Sequence, residues 1–182
     1  MKSFTLMLTL LVCVLTSQSQ EENETIKTKM DEFSSKTGII TKFTNYNLEG
    51  IKSSYGVKVE TRIRKVNSGS IVSYFYQIEK PGKYGSSTAS IEYEDLLELL
   101  KALDSLIDEE SEDILLNPDY LENKFITVDG FQLGYYVSKG KSIWYLKLER
   151  IGSNSTLFVK DAATIKLSFV AAKSMIETLK TN

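Results

Sequence analysis

The side chains that most enzymes use as nucleophiles and general bases are almost absent from this chain. Its 182 residues include no histidine and one cysteine, Cys13. A Ser-His-Asp triad and imidazole ligation of zinc or haem are therefore excluded. The chemistry that remains is that of carboxylates, lysine and tyrosine, or of a hard cation bound by oxygen ligands.

Carboxylates at distant positions are one possible basis for catalysis. Glu92, Asp129 and Asp161 would serve a hydrolase or a cation-dependent enzyme only if the fold brought them into one concave pocket. The sequence contains no motif that requires this convergence. We therefore expect a protein that is not an enzyme and has no cofactor or metal, and a hydrolase using carboxylates or a cation is the alternative.

The polar faces of several predicted strands carry the candidate binding residues. These basic and aromatic side chains are Arg62, Arg64, Phe75, Tyr136 and Tyr145. Together they would form a binding patch. Glu60, Glu79 and Glu149 alternate with them on the same faces, which fits ordinary cross-strand charge pairing. We favour charge pairing, and a binding patch is the alternative.

An acidic run at residues 108–113 suggests a calcium loop at first sight. It has no central glycine and lacks the spacing of carboxylates that such loops use. We interpret it as the solvated end of a helix and a linker. Residues 82–87, GKYGSS, lack the order of a phosphate-binding loop and predict a turn.

The N-terminus has the three parts of a secretory signal peptide. Lys2 supplies the positive charge, residues 4–15 an apolar run, and Ser17 and Ser19 a small-x-small cleavage site. We expect cleavage after Ser19, with lipidation of Cys13 as an alternative. The run is shorter than the roughly 20 apolar residues of a spanning helix, so no stable membrane anchor would remain.

Cleavage would leave a mature chain that is secreted or periplasmic and contains neither cysteine nor histidine. Stability would then rest on a packed core rather than on disulfides. The removed segment contains Lys2 as its only charged residue, so the net charge changes from −2 to −3. A mildly acidic chain is not typical of nucleic-acid binders, and we expect an unidentified protein or small ligand as the partner.

The first half of the mature chain predicts a short helix, strands and a long helix. Residues 22–36 have helical spacing, and residues 38–53 predict two short strands separated by a turn at 45–47. Residues 56–66 and 70–80 alternate around a glycine turn and predict an antiparallel hairpin, followed by a strand at 88–93. From Glu94 onward a helical stripe follows, formed by Leu96, Leu97, Leu99, Leu100, Leu103, Leu106 and Ile107.

The second half repeats this order of elements. SYFYQIEKPG, residues 73–82, aligns with IWYLKLERIG, residues 143–152, and places Tyr74 at the position of Trp144. Residues 131–137 alternate like residues 57–63, which would match Val59 with Leu133. Residues 155–159 and 164–167 predict further strand, and Ser168 is the predicted N-cap of a final helix.

These patterns predict one α+β domain at residues 20–182, in which antiparallel β-meanders are each followed by a helix. The half-repeats would span about 38–110 and 120–182, with the helices on one face of the sheet. The order of elements resembles the four-strands-then-helix plan of the Whirly and PUR-alpha single-stranded nucleic-acid binders, and it is similar to secreted tandem-repeat inhibitors. No family motif accompanies the resemblance, so it implies the fold alone. We expect an exported, non-catalytic binding or interaction protein.

Overall fold

The structure, a computed structural model, describes residues 27–83, 85–150 and 155–181. The predicted signal peptide, Cys13 and the start of the predicted first helix lie outside these residues. The helices and strands follow in the order α1 (Lys29–Ser34), β1 (Thr41–Lys52), β2 (Lys58–Ser68), β3 (Ile71–Lys80), β4 (Ser87–Glu92), α2 (Tyr93–Leu115), β5 (Leu121–Ile126), β6 (Gln132–Ser138), β7 (Lys141–Lys147), β8 (Thr156–Val159) and α3 (Ala162–Thr181).

The strands form two antiparallel sheets with the same topology. The first has the order β1-β2-β3-β4 and the second the order β5-β6-β7-β8. A long helix follows each sheet, α2 after the first and α3 after the second. The predicted fold class, α+β with a duplicated unit, is confirmed.

The central hairpins of the two sheets have turns of the same length. Two residues separate the last strand pair in each hairpin. In the first turn Gly69 has a φ of +60°, and in the second Lys139 and Gly140 have φ of +53° and +70°. Counted from the turn, Tyr74 on β3 and Trp144 on β7 occupy the same position. Both side chains point into the core, where Tyr74 is 8% and Trp144 2% exposed. Their predicted equivalence is confirmed.

The predicted match between β2 and β6 is wrong by four residues. Alignment on the hairpin turns places Ile63, rather than Val59, at the position of Leu133. Side chains in a strand alternate between the two faces with a period of two residues. An alignment that is shifted by an even number of residues therefore keeps every side chain on its correct face, and the sequence pattern does not reveal the shift. Val57, expected to lie on the buried face, precedes β2 and is 40% exposed.

One hydrophobic core contains the inner faces of both sheets and both long helices. Helix α2 contacts β3 and β4 of its own sheet and also β5, β6 and β7 of the other, whereas α3 packs on β1, β2 and β8. The predicted leucine stripe is confirmed as core, since Leu96, Leu99, Leu103 and Leu106 are buried. The two halves therefore cover each other's apolar faces.

Residues 45–47 do not form the predicted turn. Strand β1 passes through them and pairs with β2 in unbroken register from Thr41 to Leu48, with an irregularity only between Leu48 and Ile51. The Asn45 side chain accepts a 2.9 Å hydrogen bond from Nε of Arg64, which satisfies it within the sheet. Cross-strand pairing thus overrides the local turn preference of asparagine.

Helix α3 begins six residues before the predicted N-cap, Ser168, and includes residues 164–167, which were predicted as strand. The Asp161 carboxylate accepts hydrogen bonds from the backbone N–H and the hydroxyl of Thr164, at 2.9 and 2.7 Å. This is N-cap geometry. Burial of Ile165 in the core stabilises the first turn despite the β-branched side chains.

The acidic run 108–113 is not a linker, because α2 continues through it to Leu115. Its carboxylates accept hydrogen bonds from the second sheet. Asp113 accepts from the Tyr135 hydroxyl at 2.6 Å, and Glu110 from the Trp144 indole N–H at 2.8 Å. Within the described ranges, no helix has the length and apolar character needed to cross a bilayer.

Candidate functional site

The five predicted binding residues lie on two separate surfaces. Arg62, Arg64 and Phe75 are on the outer face of the first sheet, the face that points away from the core. Tyr136 and Tyr145 are on the outer face of the second sheet, where their strands pair with one another. The fold does not assemble them into one patch, so each surface has to be considered by itself.

The outer face of the first sheet is covered at Phe75 and internally paired. Phe33 of α1 packs edge-on against Phe75, with ring centroids 5.9 Å apart, and Phe75 is 0% exposed. Arg62 donates to Gln77 at 2.9 Å and to Glu79 at 2.6 Å. The hydrogen bond from Arg62 is the main reason that the pKa of Glu79 is lowered. These contacts match the charge-pairing interpretation for this sheet.

Lys29 links α1 to both halves of the fold through hydrogen bonds and ion pairs. Its backbone N–H donates to the Asp129 carboxylate at 3.1 and 3.2 Å, and its Nζ lies 2.8 Å from Asp95 and 3.2 Å from Glu92. Burial raises the pKa of Asp129, and the charges of Asp95 and Glu92 act in the same direction against the lowering effect of Lys29. Glu92 and Asp129 thus converge around a lysine.

Asp161, the third carboxylate considered from the sequence, does not join this group, because it caps α3. Across the parts of the chain that the structure describes, no cluster of three or more acidic side chains is arranged to hold a metal ion.

The outer face of the second sheet is concave and mixed in character. We call it the open face, because none of the described helices covers it as α1 covers the first sheet. Its cavity is about 350 Å³ in volume. The lining combines aromatic, charged and uncharged polar side chains, namely Tyr120, Glu122, Lys124, Gln132, Tyr136, Tyr145, Lys147, Thr156 and Phe158.

Tyr145 is a largely buried residue of the open face. It pairs across strands with Gly134, where a Cβ atom would collide with the backbone carbonyl of Asn123. The Tyr145 hydroxyl donates to Glu122 at 2.7 Å, and Glu122 forms an ion pair with Lys124 at 2.8 Å. Burial and the hydrogen bond to Glu122 raise the pKa of the Tyr145 hydroxyl. Tyr145 therefore supports the face, and Tyr136 is the half-exposed predicted residue above it.

A row of aromatic rings extends the open face beyond Tyr136. Phe158 on β8 lies edge-on to Tyr136, with centroids 6.5 Å apart, and edge-on to Tyr55 on its other side, at 6.0 Å. A hydrogen bond of 2.8 Å from the Ser54 N–H to the Phe158 carbonyl holds the loop of Tyr55 in place. Neither Phe158 nor Tyr55 was predicted as a binding residue from the sequence. Alternation within β8 could have placed Phe158 on the outer face, but nothing local brings Tyr55 to it.

A second cleft of about 570 Å³ adjoins the open face and shares Thr156 and Phe158 with it. Its other walls come from the 53–57 loop and the segment after β3. Lys80 donates to the Thr156 carbonyl at 2.8 Å and so links the two sheets. The charged residues that line the two depressions are four lysines and one glutamate, Lys80, Lys83, Lys124, Lys147 and Glu122.

A third cleft of about 520 Å³ lies between β1 and α3. Lys52, Lys160 and Glu49 line it together with serine, glycine and small apolar side chains. It has none of the aromatic rings that line the open face and its neighbouring cleft.

Comparison of the chain with protein-family models, with curated proteins and with solved structures gives no match in any of the three. The geometry of the open face is therefore the basis for a functional assignment.

Proposed function

We propose that this chain is an exported, non-catalytic binding protein whose ligand contacts the open face and the adjoining cleft. The observation that carries the proposal is the difference between two equivalent surfaces of a duplicated fold. Helix α1 closes the outer face of the first sheet over Phe75. The outer face of the second sheet is left concave and aromatic in the described part of the chain.

The lining indicates the chemistry of the ligand. Aromatic side chains supply large contact area at low entropic cost, and lysines attract acidic groups. The aromatic row of Tyr55, Phe158 and Tyr136 runs beside the lysines of the two depressions. We infer an extended peptide segment of a partner protein, one that carries acidic side chains along with aromatic or apolar ones.

The positions of the carboxylates support binding rather than hydrolysis. Glu92 and Asp129 are bound to Lys29, and Asp161 is engaged at the N-terminus of α3. None of the three lines the open face or the adjoining cleft. A hydrolase that used these three carboxylates would need at least one of them to face a bound substrate.

Export is supported by the N-terminal pattern of Lys2, the apolar run and Ser17-Gln18-Ser19. N-terminal sequencing of protein recovered from the secreted or periplasmic fraction would test it. The chain should begin near Gln20. Full-length chain retained in the cytoplasm would contradict this part of the proposal.

Binding itself can be tested with a labelled random copolymer of glutamate and tyrosine as the probe, followed by fluorescence anisotropy. The chain should bind this copolymer more tightly than polyglutamate, because polyglutamate has no aromatic rings that could pack against Tyr136 and Phe158. Tyr136→Ala and Lys147→Glu should each weaken binding by about tenfold, the effect of roughly 1.4 kcal/mol. Lys101→Glu, an exposed lysine on α2, is the matched control and should bind normally.

Two results would overturn the proposal. One is equal binding by all variants, which would place the copolymer elsewhere on the molecule. The other is tighter binding to an oligothymidylate than to the copolymer, with loss in the Tyr136→Ala variant, since that would make the open face a nucleic-acid surface.

A further inference from the structure

An exposed apolar tip lies at the end of the first sheet, away from the open face. It consists of the start of β1 and the turn between β2 and β3. Ile40 is 91% exposed, and the other large side chains are 45–47% exposed, namely Ile39, Phe43, Ile71 and Val72. Soluble proteins rarely cluster so many apolar side chains on one protruding edge without a partner.

The two segments of this tip lie side by side. Thr41 pairs with Ser68 across the strands, and their hydroxyls are 3.3 Å apart. A methyl of Ile39 lies 3.6 Å from the position of a Cβ on Gly69, inside the turn. The isoleucines before β1 therefore lie beside the β2–β3 turn, at the same end of the sheet as Ile71.

The strand segments at the apolar tip carry basic but no acidic side chains, although the whole chain has a net charge of −2. Residues 33–48 and 64–75, which include this end of the sheet, contain no aspartate or glutamate. They contain four basic residues, Lys36, Lys42, Arg64 and Lys65. Arg64 lies 5.8 Å from the ring centroid of Phe43, so positive charge adjoins the apolar side chains directly.

We propose that this tip docks reversibly on an anionic lipid membrane. Apolar side chains at a protruding end can enter the boundary between headgroups and acyl chains, while basic groups behind them contact anionic headgroups. The patch consists of five large apolar side chains, well short of the roughly 20–30 residues that each partner contributes to a standard protein interface. Such a contact is peripheral and agrees with the expected lack of a stable anchor.

Sedimentation with vesicles tests the proposal. Residues 20–182, which contain every helix and strand described above and exclude the apolar N-terminal run, are mixed with vesicles of phosphatidylcholine alone or of phosphatidylcholine with phosphatidylglycerol. We expect binding to the anionic vesicles alone, weakened by added salt. The double variant Ile39→Ser with Ile40→Ser should reduce the partition coefficient by about tenfold or more.

The matched control is Leu115→Ser with Leu116→Ser. These leucines are 82% and 69% exposed at the end of α2, next to the acidic run rather than to lysines. This variant should bind like the unchanged chain. Lys42→Glu with Lys65→Glu is a second test, which leaves every apolar side chain in place and should also abolish binding to anionic vesicles. Circular dichroism confirms that each variant is folded.

The proposal is overturned if anionic vesicles do not sediment the chain, or if the leucine control loses as much binding as the isoleucine variant. It is also overturned if sedimentation velocity shows a dimer that the isoleucine variant converts to a monomer. The tip would then be an interface between two copies of the chain. Because the open face lies on the other sheet, failure here would leave the proposed peptide binding untouched.

Discussion

The indole N–H of Trp144 donates a hydrogen bond of 2.8 Å to Oε1 of Glu110. Trp144 belongs to β7 in the second half of the fold, and Glu110 to the last turns of α2, the helix of the first half. The Ser142 hydroxyl contacts the same carboxylate oxygen. The acidic end of α2 is therefore attached to the second sheet by side-chain hydrogen bonds.

Replacing Glu110 with alanine should destabilise the fold by about 1–3 kcal/mol, because the buried indole N–H would lose its acceptor. Urea unfolding followed by the fluorescence of Trp144 measures this directly, since the chain contains one tryptophan. Glu112→Ala is the matched control from the same acidic run, and its side chain is exposed. It should change stability by less than about 0.5 kcal/mol. Equal losses for the two variants would show that the carboxylate of Glu110 has no special role.

Leu103→Ala should cost about 2–5 kcal/mol, the usual range for truncating a buried leucine. Leu103 is fully buried on α2, between the two sheets. Leu115→Ala on the same helix is the comparison, because Leu115 is 82% exposed. A lower denaturation midpoint for the Leu103 variant than for the Leu115 variant would show that the Leu103 face of α2 belongs to the core. An unchanged midpoint for the Leu103 variant would contradict the packing described here.

Asp161→Ala should destabilise the chain by about 0.5–2 kcal/mol near neutral pH through loss of the N-cap of α3. The hydrogen bond from the Thr164 hydroxyl is the largest reason that the pKa of Asp161 is lowered. A lowered pKa in the folded state gives stability that is present above the ordinary value of 3.8. This stability is lost as the pH falls through the folded-state value.

The Asp161 prediction is checked by urea unfolding at pH 7 and at a pH well below the ordinary aspartate value. The difference between the original chain and the alanine variant should shrink on acidification. Asp161→Asn is the control, since asparagine caps helices well and does not titrate. A pH-independent loss in the alanine variant would indicate that Asp161 acts through packing rather than through its charge.

Local periodicity was enough to predict the strands, turns and helix whose conformation and buried face are determined by their own residues. Alternation identified β2 and β3, Gly69 and Gly140 marked the hairpin turns, and the leucine stripe identified α2. These features depend on the side-chain period and on backbone conformation, which neighbouring residues determine. For the same reason, Tyr74 and Trp144 could be matched across the repeat.

The remaining features depend on contacts between distant segments. Alternation assigned Phe75 to an outer face but could not show that Phe33, far away in the chain, would cover it. The acidic run was interpreted as solvated because its acceptor role depends on tryptophan and tyrosine side chains from the second sheet. Tyr55 reached the open face only through a backbone hydrogen bond to β8. Such pairings leave no local pattern in the sequence.

The binding surface can be mapped directly by NMR, by adding a short peptide of glutamate and tyrosine and following the backbone amide chemical shifts of the folded chain. We expect the largest changes on the open face, at Tyr136, Lys147 and Phe158, with little change at Phe75 under α1. Changes concentrated on the first sheet around Arg62 and Phe75, or no saturable change at all, would contradict the claim that the second sheet provides the binding surface.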